Sequence, residues 1–280
     1  MHNFVGRVAV ITGGASGIGR AIAQRFAAEG MKLVLADIEE PVLAATVAEL
    51  AAGGAQVIGV PTDVSVLGDV QQLADRTLDE FGAVHIVCNN AGVAGGTVAT
   101  APIELWNWVL GVNLYGVIHG CATFVPIMLE QNEGHVVNTA SIAGLGGVGA
   151  FGVYCASKFA VVGLSESLHH ELAALGSAVK VSVLCPGFLD TNIYFSERNM
   201  PGAVREMAPD TAIAAESVDA IRAIVPGPEV AAEAVFAAIR DERFFILTHE
   251  RAATATTEAR LAWMLGGGPP DFDSPHAFVP

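Results

Sequence analysis

Residues 8–30 read VAVITGGASGIGRAIAQRFAAEG, and this stretch constrains the chain more than any other. Five β-favouring residues run into a turn holding Gly13, Gly14, Gly17 and Gly19, and an amphipathic helical pattern follows at once. The rest of the chain repeats that alternation. Short runs rich in Val and Ile lie at 8–12, 32–37, 56–61, 84–89, 135–140, 180–184 and 244–248. They show little polar alternation, as in strands buried on both faces. Helical patterns occupy 17–29, 39–52, 67–81, 102–130, 152–175 and 229–241. Strand then helix, repeated with right-handed crossovers, predicts an α/β fold: a doubly wound parallel sheet of about seven strands with helices on both faces.

No linker divides the chain, so residues 1–280 are expected to form one domain. Two regions break the alternation. Residues 186–228 carry several Pro and Gly and helix-like pieces, and an insertion of that size reads as a lid. The tail 266–280, GGGPPDFDSPHAFVP, has no pattern and reads as disordered or as an arm on a neighbouring subunit. Hydrophobic residues make up 52% and charged residues 15%, which supplies a core. The net charge of −15 opposes nucleic acid and anionic membranes. No run approaches the ~20 apolar residues of a spanning helix, and the N-terminus lacks the pattern of a signal peptide. The expectation is a soluble, cytoplasmic protein. Four scattered cysteines and eight histidines without ligand spacing predict no disulfide and no metal site.

The glycine turn has a specific physical use. A pyrophosphate sits on the positive N-terminal end of a helix only where the backbone can approach it closely. The spacing here is GxxxGxG, and Gly13, Ser16, Gly17, Ile18 and Gly19 are the expected cradle. Asp37 ends the second strand, 18 residues beyond Gly19. A carboxylate there accepts hydrogen bonds from both ribose hydroxyls of an adenosine and repels a 2′-phosphate. Ile38, Glu39 and Glu40 follow it, with no basic residue, and Ser16 is neutral, so NAD is favoured over NADP. Asp63 and Val64, after the third strand, are placed to meet the adenine, although Asp63 alone reads as a helix N-cap.

TGGASGIG at 12–19, NNAG at 89–92, Asn113, Ser141, Tyr154-x-x-x-Lys158 and PGFLDT at 186–191 occur in that order. Together they resemble the short-chain dehydrogenase/reductase family over roughly two thirds of the chain. The resemblance implies a Rossmann-type fold binding one dinucleotide per subunit, usually as a homotetramer built on the helices at 102–130 and 152–175. It implies reversible hydride transfer between nicotinamide and a carbon bearing a hydroxyl or carbonyl. Asn90, Ala91 and Gly92 would line the cofactor cleft, with Pro186 and Gly187 beyond them, and Thr191 would contact the carboxamide. Asn113 would hold a water against Lys158, and Lys158 would also bond the nicotinamide ribose.

The catalytic residues support that chemistry on their own terms. A phenol with a pKa near ~10 is a poor base at neutral pH, and a nearby ammonium lowers that pKa. Residues four apart share a helix face, so Tyr154 and Lys158 meet. The chain has three Tyr and three Lys. Chance alone predicts only about 0.03 Tyr-x-x-x-Lys pairs. Ser141 ends the fifth strand on the ligand-binding edge and can hold the substrate oxygen beside Tyr154. For the substrate walls the lid offers Phe188, Ile193, Tyr194, Phe195, Met200 and Met207, and the loop after Ser141 offers Leu145, Val148 and Phe151. Such walls suit a hydrophobic secondary alcohol or ketone. The alternatives are an NADP-dependent carbonyl reductase and a non-catalytic dinucleotide-binding sensor.

Overall fold

The computed structural model describes residues 3–207 and 215–270. Its seven strands are β1 (Val8–Thr12), β2 (Lys32–Asp37), β3 (Gln56–Pro61), β4 (Ile86–Asn89), β5 (His135–Thr139), β6 (Lys180–Cys185) and β7 (Phe245–Leu247). They form one parallel sheet in the order β3-β2-β1-β4-β5-β6-β7. The expected α/β Rossmann-type architecture is therefore present. The helices are α1 (Gly17–Ala28), α2 (Glu40–Ala52), α3 (Leu67–Phe81), α4 (Ile103–Leu110), α5 (Gly116–Gln131) and α6 (Gly152–Ala174). After them come α7 (Gly202–Met207), α8 (Ala215–Arg222), α9 (Glu229–Asp241) and α10 (Glu250–Met264).

The period of two in each strand sorts its side chains between two cores. Ala9, Ile11, Leu33 and Leu35 face α1, α2 and α9, with Phe26 and Phe236 filling that side. Val8, Val10, Val34 and Val136 face α3 and α5, where Leu73, Phe124 and Met128 pack. The central strands are buried on both faces, which explains their lack of polar alternation.

Two helical features depart from the sequence reading. Residues 103–131 form one continuous helix of 29 residues, apolar and long enough by those measures alone to cross a membrane. This corrects the expectation that no run reaches that length. Phe124 and Met128 on it pack against Val87 and Val136 of the sheet, and Val117 packs with Val161 of α6, as in a core helix. A π turn at Gly111–Tyr115 interrupts the helix and contains Asn113. Such turns often mark functional sites. The second feature is α10, which has no counterpart among the expected elements. Its Ala252 and Ala253 pack on Ile142, just beyond β5. Of the tail, residues 271–280 lie outside the described residues, as do residues 208–214 of the lid.

Candidate active site

Strand connections reverse direction between β1 and β4, and a cleft of about 360 Å³ opens there along the carboxyl edge of the sheet. It runs from Asp37 after β2, across Gly13 and Asn90, to Ser141 after β5 and Pro186 after β6. Every catalytic and cofactor residue expected from the sequence lines it except Gly19 and Asn113. Gly13 and Gly17 take φ of +63° and +52°, a region that favours glycine. Gly19 lies beneath the turn, where a Cβ would collide with the Gly13 carbonyl and the Asn90 side chain. Ser16 is the N-cap of α1 yet makes no capping bond with its side chain, and the first turn carries no acid. The amides there are left for an anion, so the cradle fits a dinucleotide pyrophosphate. Gly19→Ala is expected to weaken nicotinamide dinucleotide binding by about tenfold or more, read by fluorescence titration. Unchanged affinity would mean that the phosphates lie elsewhere.

The two halves of the cleft are tied by side chains. Thr12 Oγ1 accepts from the amides of Asn90 and Ala91 at 2.9 and 3.1 Å, and Asn90 Nδ2 donates to Thr12 O at 3.0 Å. Asp37 accepts from the amides of Ala15 at 3.0 Å and Glu39 at 3.1 Å, which fixes its carboxylate at the cleft end. Asp63 Oδ1 accepts from the amide and hydroxyl of Ser65 at 2.9 and 2.7 Å, so it also organises its own loop.

At the other end, Tyr154 and Lys158 occupy the first turns of α6. Lys158 is 2% exposed and its Nζ donates to Thr139 O at 2.9 Å. Nζ lies 5.5 Å from the Tyr154 ring centroid. Among the described residues no carboxylate pairs with it, and burial pulls its pKa down to about 8. Burial pushes the Tyr154 phenol up to about 12, against a hydrogen bond with Ser141. The direction of that shift is set by desolvation, opposite to the one a neighbouring ammonium favours. The Ser141 hydroxyl accepts from Ala143 N at 3.1 Å, which turns it toward Tyr154 at the start of a short helical turn.

Asn113 stands behind the cleft, fully buried. Its Oδ1 accepts from Val93 N at 2.8 Å, and its Nδ2 donates to Val93 O at 2.9 Å and Ser157 Oγ at 3.0 Å. A Cβ on Gly92 would sit 3.5 Å from Asn113 Oδ1 and 3.6 Å from Lys158 Nζ, so the two flank the space that this glycine leaves.

The lid closes the front. Thr191 lies against Gly17, and Ser196 Oγ accepts from Ala94 N at 2.9 Å. Tyr194 lines the cleft but spends its hydroxyl on Leu189 O at 3.0 Å. Phe188, Ile193, Val148 and Phe151 also line it, as the sequence suggested. Phe195, Met200, Met207 and Leu145 do not: Met200 packs the lid onto α4 and Met207 is exposed. The sequence reading missed Trp108 and Val112 as walls, and Glu39, Arg198 and Asn199 at the adenosine end. The helical register of Trp108 and Val112, four apart and next to Asn113, was the available signal.

A glycine-lined cleft at this switch point, facing a half-buried tyrosine beside a buried lysine, defines a dinucleotide oxidoreductase. The chain belongs to the short-chain dehydrogenase family, whose model matches residues 7–201. It is 46% identical to a short-chain dehydrogenase/reductase from Burkholderia phymatum solved in complex with NAD, with a TM-score of 0.89 over 97% of this chain and 99% of that one. It is 33% identical to a CLA biosynthesis dehydrogenase/reductase of Lactiplantibacillus plantarum over 97% of each chain. It is 39% identical to 3beta-hydroxysteroid dehydrogenase 2 of Eggerthella lenta, over 76% of this chain and 88% of that one.

Proposed function

We propose that the protein is an NAD-dependent dehydrogenase interconverting a hydrophobic secondary alcohol and its ketone. The observation that carries this reading is that Ser141, Tyr154 and Lys158 open into the same cleft as the glycine cradle and Asp37. The bound nicotinamide would supply or accept the hydride. Tyr154 Oη gives a proton to the carbonyl oxygen in reduction, or takes one from the hydroxyl in oxidation. Ser141 holds that oxygen in place. Lys158 favours the phenolate when it is charged, and Asn113 fixes the wall behind it. Trp108, Val112, Val148, Phe151 and Phe188 form the substrate walls. Among the described residues, the charged groups lining the cleft apart from Lys158 are Asp37, Glu39, Asp63 and Arg198, which follow β2 and β3 or pair with Glu39. An uncharged substrate is therefore favoured. The similarity to a hydroxysteroid dehydrogenase and to a chain solved with NAD supports the same reading. It extends to a cytoplasmic homotetramer, which the family pattern favours.

The test is a screen of hydrophobic secondary alcohols with both dinucleotides. NAD+ is expected to exceed NADP+ by about tenfold or more in kcat/KM, because a 2′-phosphate would face Asp37. Oxidation should speed up as pH rises, and reduction should slow, since the first needs the phenolate and the second the phenol. Preference for NADP+, or turnover of carboxylated alcohols alone, would contradict the proposal.

A further inference from the structure

Glu39 and Arg198 line the cleft beside Asp37. Glu39 follows β2 by two residues, and its amide donates to Asp37 Oδ1 at 3.1 Å. Arg198 arrives from the lid, 159 residues away in sequence. Its Nε and Nη2 donate to Glu39 Oε1 at 2.9 and 2.7 Å, and Asn199 Nδ2 adds a third bond at 3.0 Å. Its Nη1 donates to the carbonyls of Asn192 and Phe195 at 2.9 and 3.0 Å. Every nitrogen of this guanidinium is engaged. Partial burial opposes it, yet the bonds from Arg198 and Asn199 hold the Glu39 carboxylate below its usual range.

Arginine is the side chain best suited to grip a phosphate monoester, because its planar fork matches two phosphate oxygens. Arg198 is the only arginine among the described residues lining the cleft, and its partner Glu39 is two residues from, and bonded to, Asp37, the residue expected to meet the adenosine ribose. A 2′-phosphate would belong at this end. The fork that could receive it is filled by Glu39.

We infer that Glu39 is a second determinant of dinucleotide choice and acts by occupying Arg198. Asp37 rejects a 2′-phosphate by direct repulsion. Glu39 rejects it by withholding the one guanidinium that would compensate, and by adding a further negative charge. The chain thus carries a latent phosphate-binding arginine. Released from Glu39, Arg198 remains tethered at the cleft mouth by its bonds to Asn192 and Phe195.

This inference rests on the NAD reading, and the test separates the two. NADH and NADPH are titrated by fluorescence into the full chain and into D37S, D37S/E39Q and D37S/E39Q/R198A, with thermal melts of each. D37S/E39Q is expected to bind NADPH about tenfold more tightly than D37S, the worth of one charge-assisted pair. NADH affinity should change by less than about threefold, and R198A should erase the NADPH gain. Absence of the gain, or its survival without Arg198, overturns the inference. A wild type that prefers NADPH overturns the NAD reading alone, because the Glu39 effect is read between variants. If D37S proteins do not fold, E39Q alone must bind NADPH at least about threefold more tightly than the wild type, or the inference fails.

Discussion

Tyr154→Phe lowers turnover by about three orders of magnitude and leaves dinucleotide affinity within about threefold. The ring and its packing survive this substitution, and only the hydroxyl is lost. That hydroxyl is the group that faces Ser141 and reaches the substrate oxygen. The cradle at Gly13 and Gly17 and the carboxylate of Asp37 lie on other elements and do not depend on it. Steady-state rates on the best alcohol from the screen, with NADH titration in parallel, read both quantities. Retention of more than about a tenth of the activity would move the acid–base role to another group.

Lys158→Met cuts activity by about two orders of magnitude or more and makes the protein more stable. The ammonium is 2% exposed, and its pKa falls from 10.5 to about 8, so at pH 7 the fold carries a buried charge at a cost of about 3 kcal/mol. The sign follows from linkage. Below pH 8 both folded and unfolded chains hold the proton, and the full cost is present. From pH 8 to 10.5 the folded chain gives up the proton first, so stability rises with pH. The four cysteine thiols, raised from 9 by burial, act in the opposite sense above pH 9, and Tyr154, raised from 10 to about 12, does so above pH 10. The signature of Lys158 is therefore confined to pH 8 to 9. Methionine fills similar space without the charge, although it forfeits the bond to Thr139 O. A rise in Tm of several degrees at pH 7 is expected, at about 2–4 °C per kcal/mol. The upward slope between pH 8 and 9 should vanish with it. An unchanged Tm with the slope intact would show that Lys158 is not strained by burial.

What the sequence revealed was local. The glycine turn and the Tyr154–Lys158 pair each declare themselves within a few residues, because a turn or one helical step fixes the geometry. The sheet was legible because its central strands are buried on both faces, so their runs are rich in Val and Ile with only scattered polar residues such as Asn138 and Ser182. What stayed hidden depends on contacts distant in the chain. Glu39 and Arg198 are an ordinary acid and base until the lid folds back over β2. The π turn was only hinted at by an asparagine inside a helix, and its cause is tertiary: Asn113 satisfies both polar groups of Val93. Helix α10, rich in Ala and Thr and half exposed, lacks the apolar stripe that identifies a packed helix. The upward push of burial on the Tyr154 phenol cannot be read from spacing.

The strand order also governs how the chain assembles during synthesis. The pairs β1–β2 and β2–β3 close over short stretches, so the half that holds Asp37 can form early. The central pair β1–β4 joins residues such as Ala9 and Ile86, and β6 completes the other half only at Cys185. At about 5–20 residues per second, roughly 6–25 s separate the end of β3 from the end of β6 on the ribosome. Until β4 arrives, β1 is an apolar strand with one edge unpaired, the kind of surface on which chains stick to one another. The nascent protein is most vulnerable to aggregation at the seam where its mature form does its chemistry.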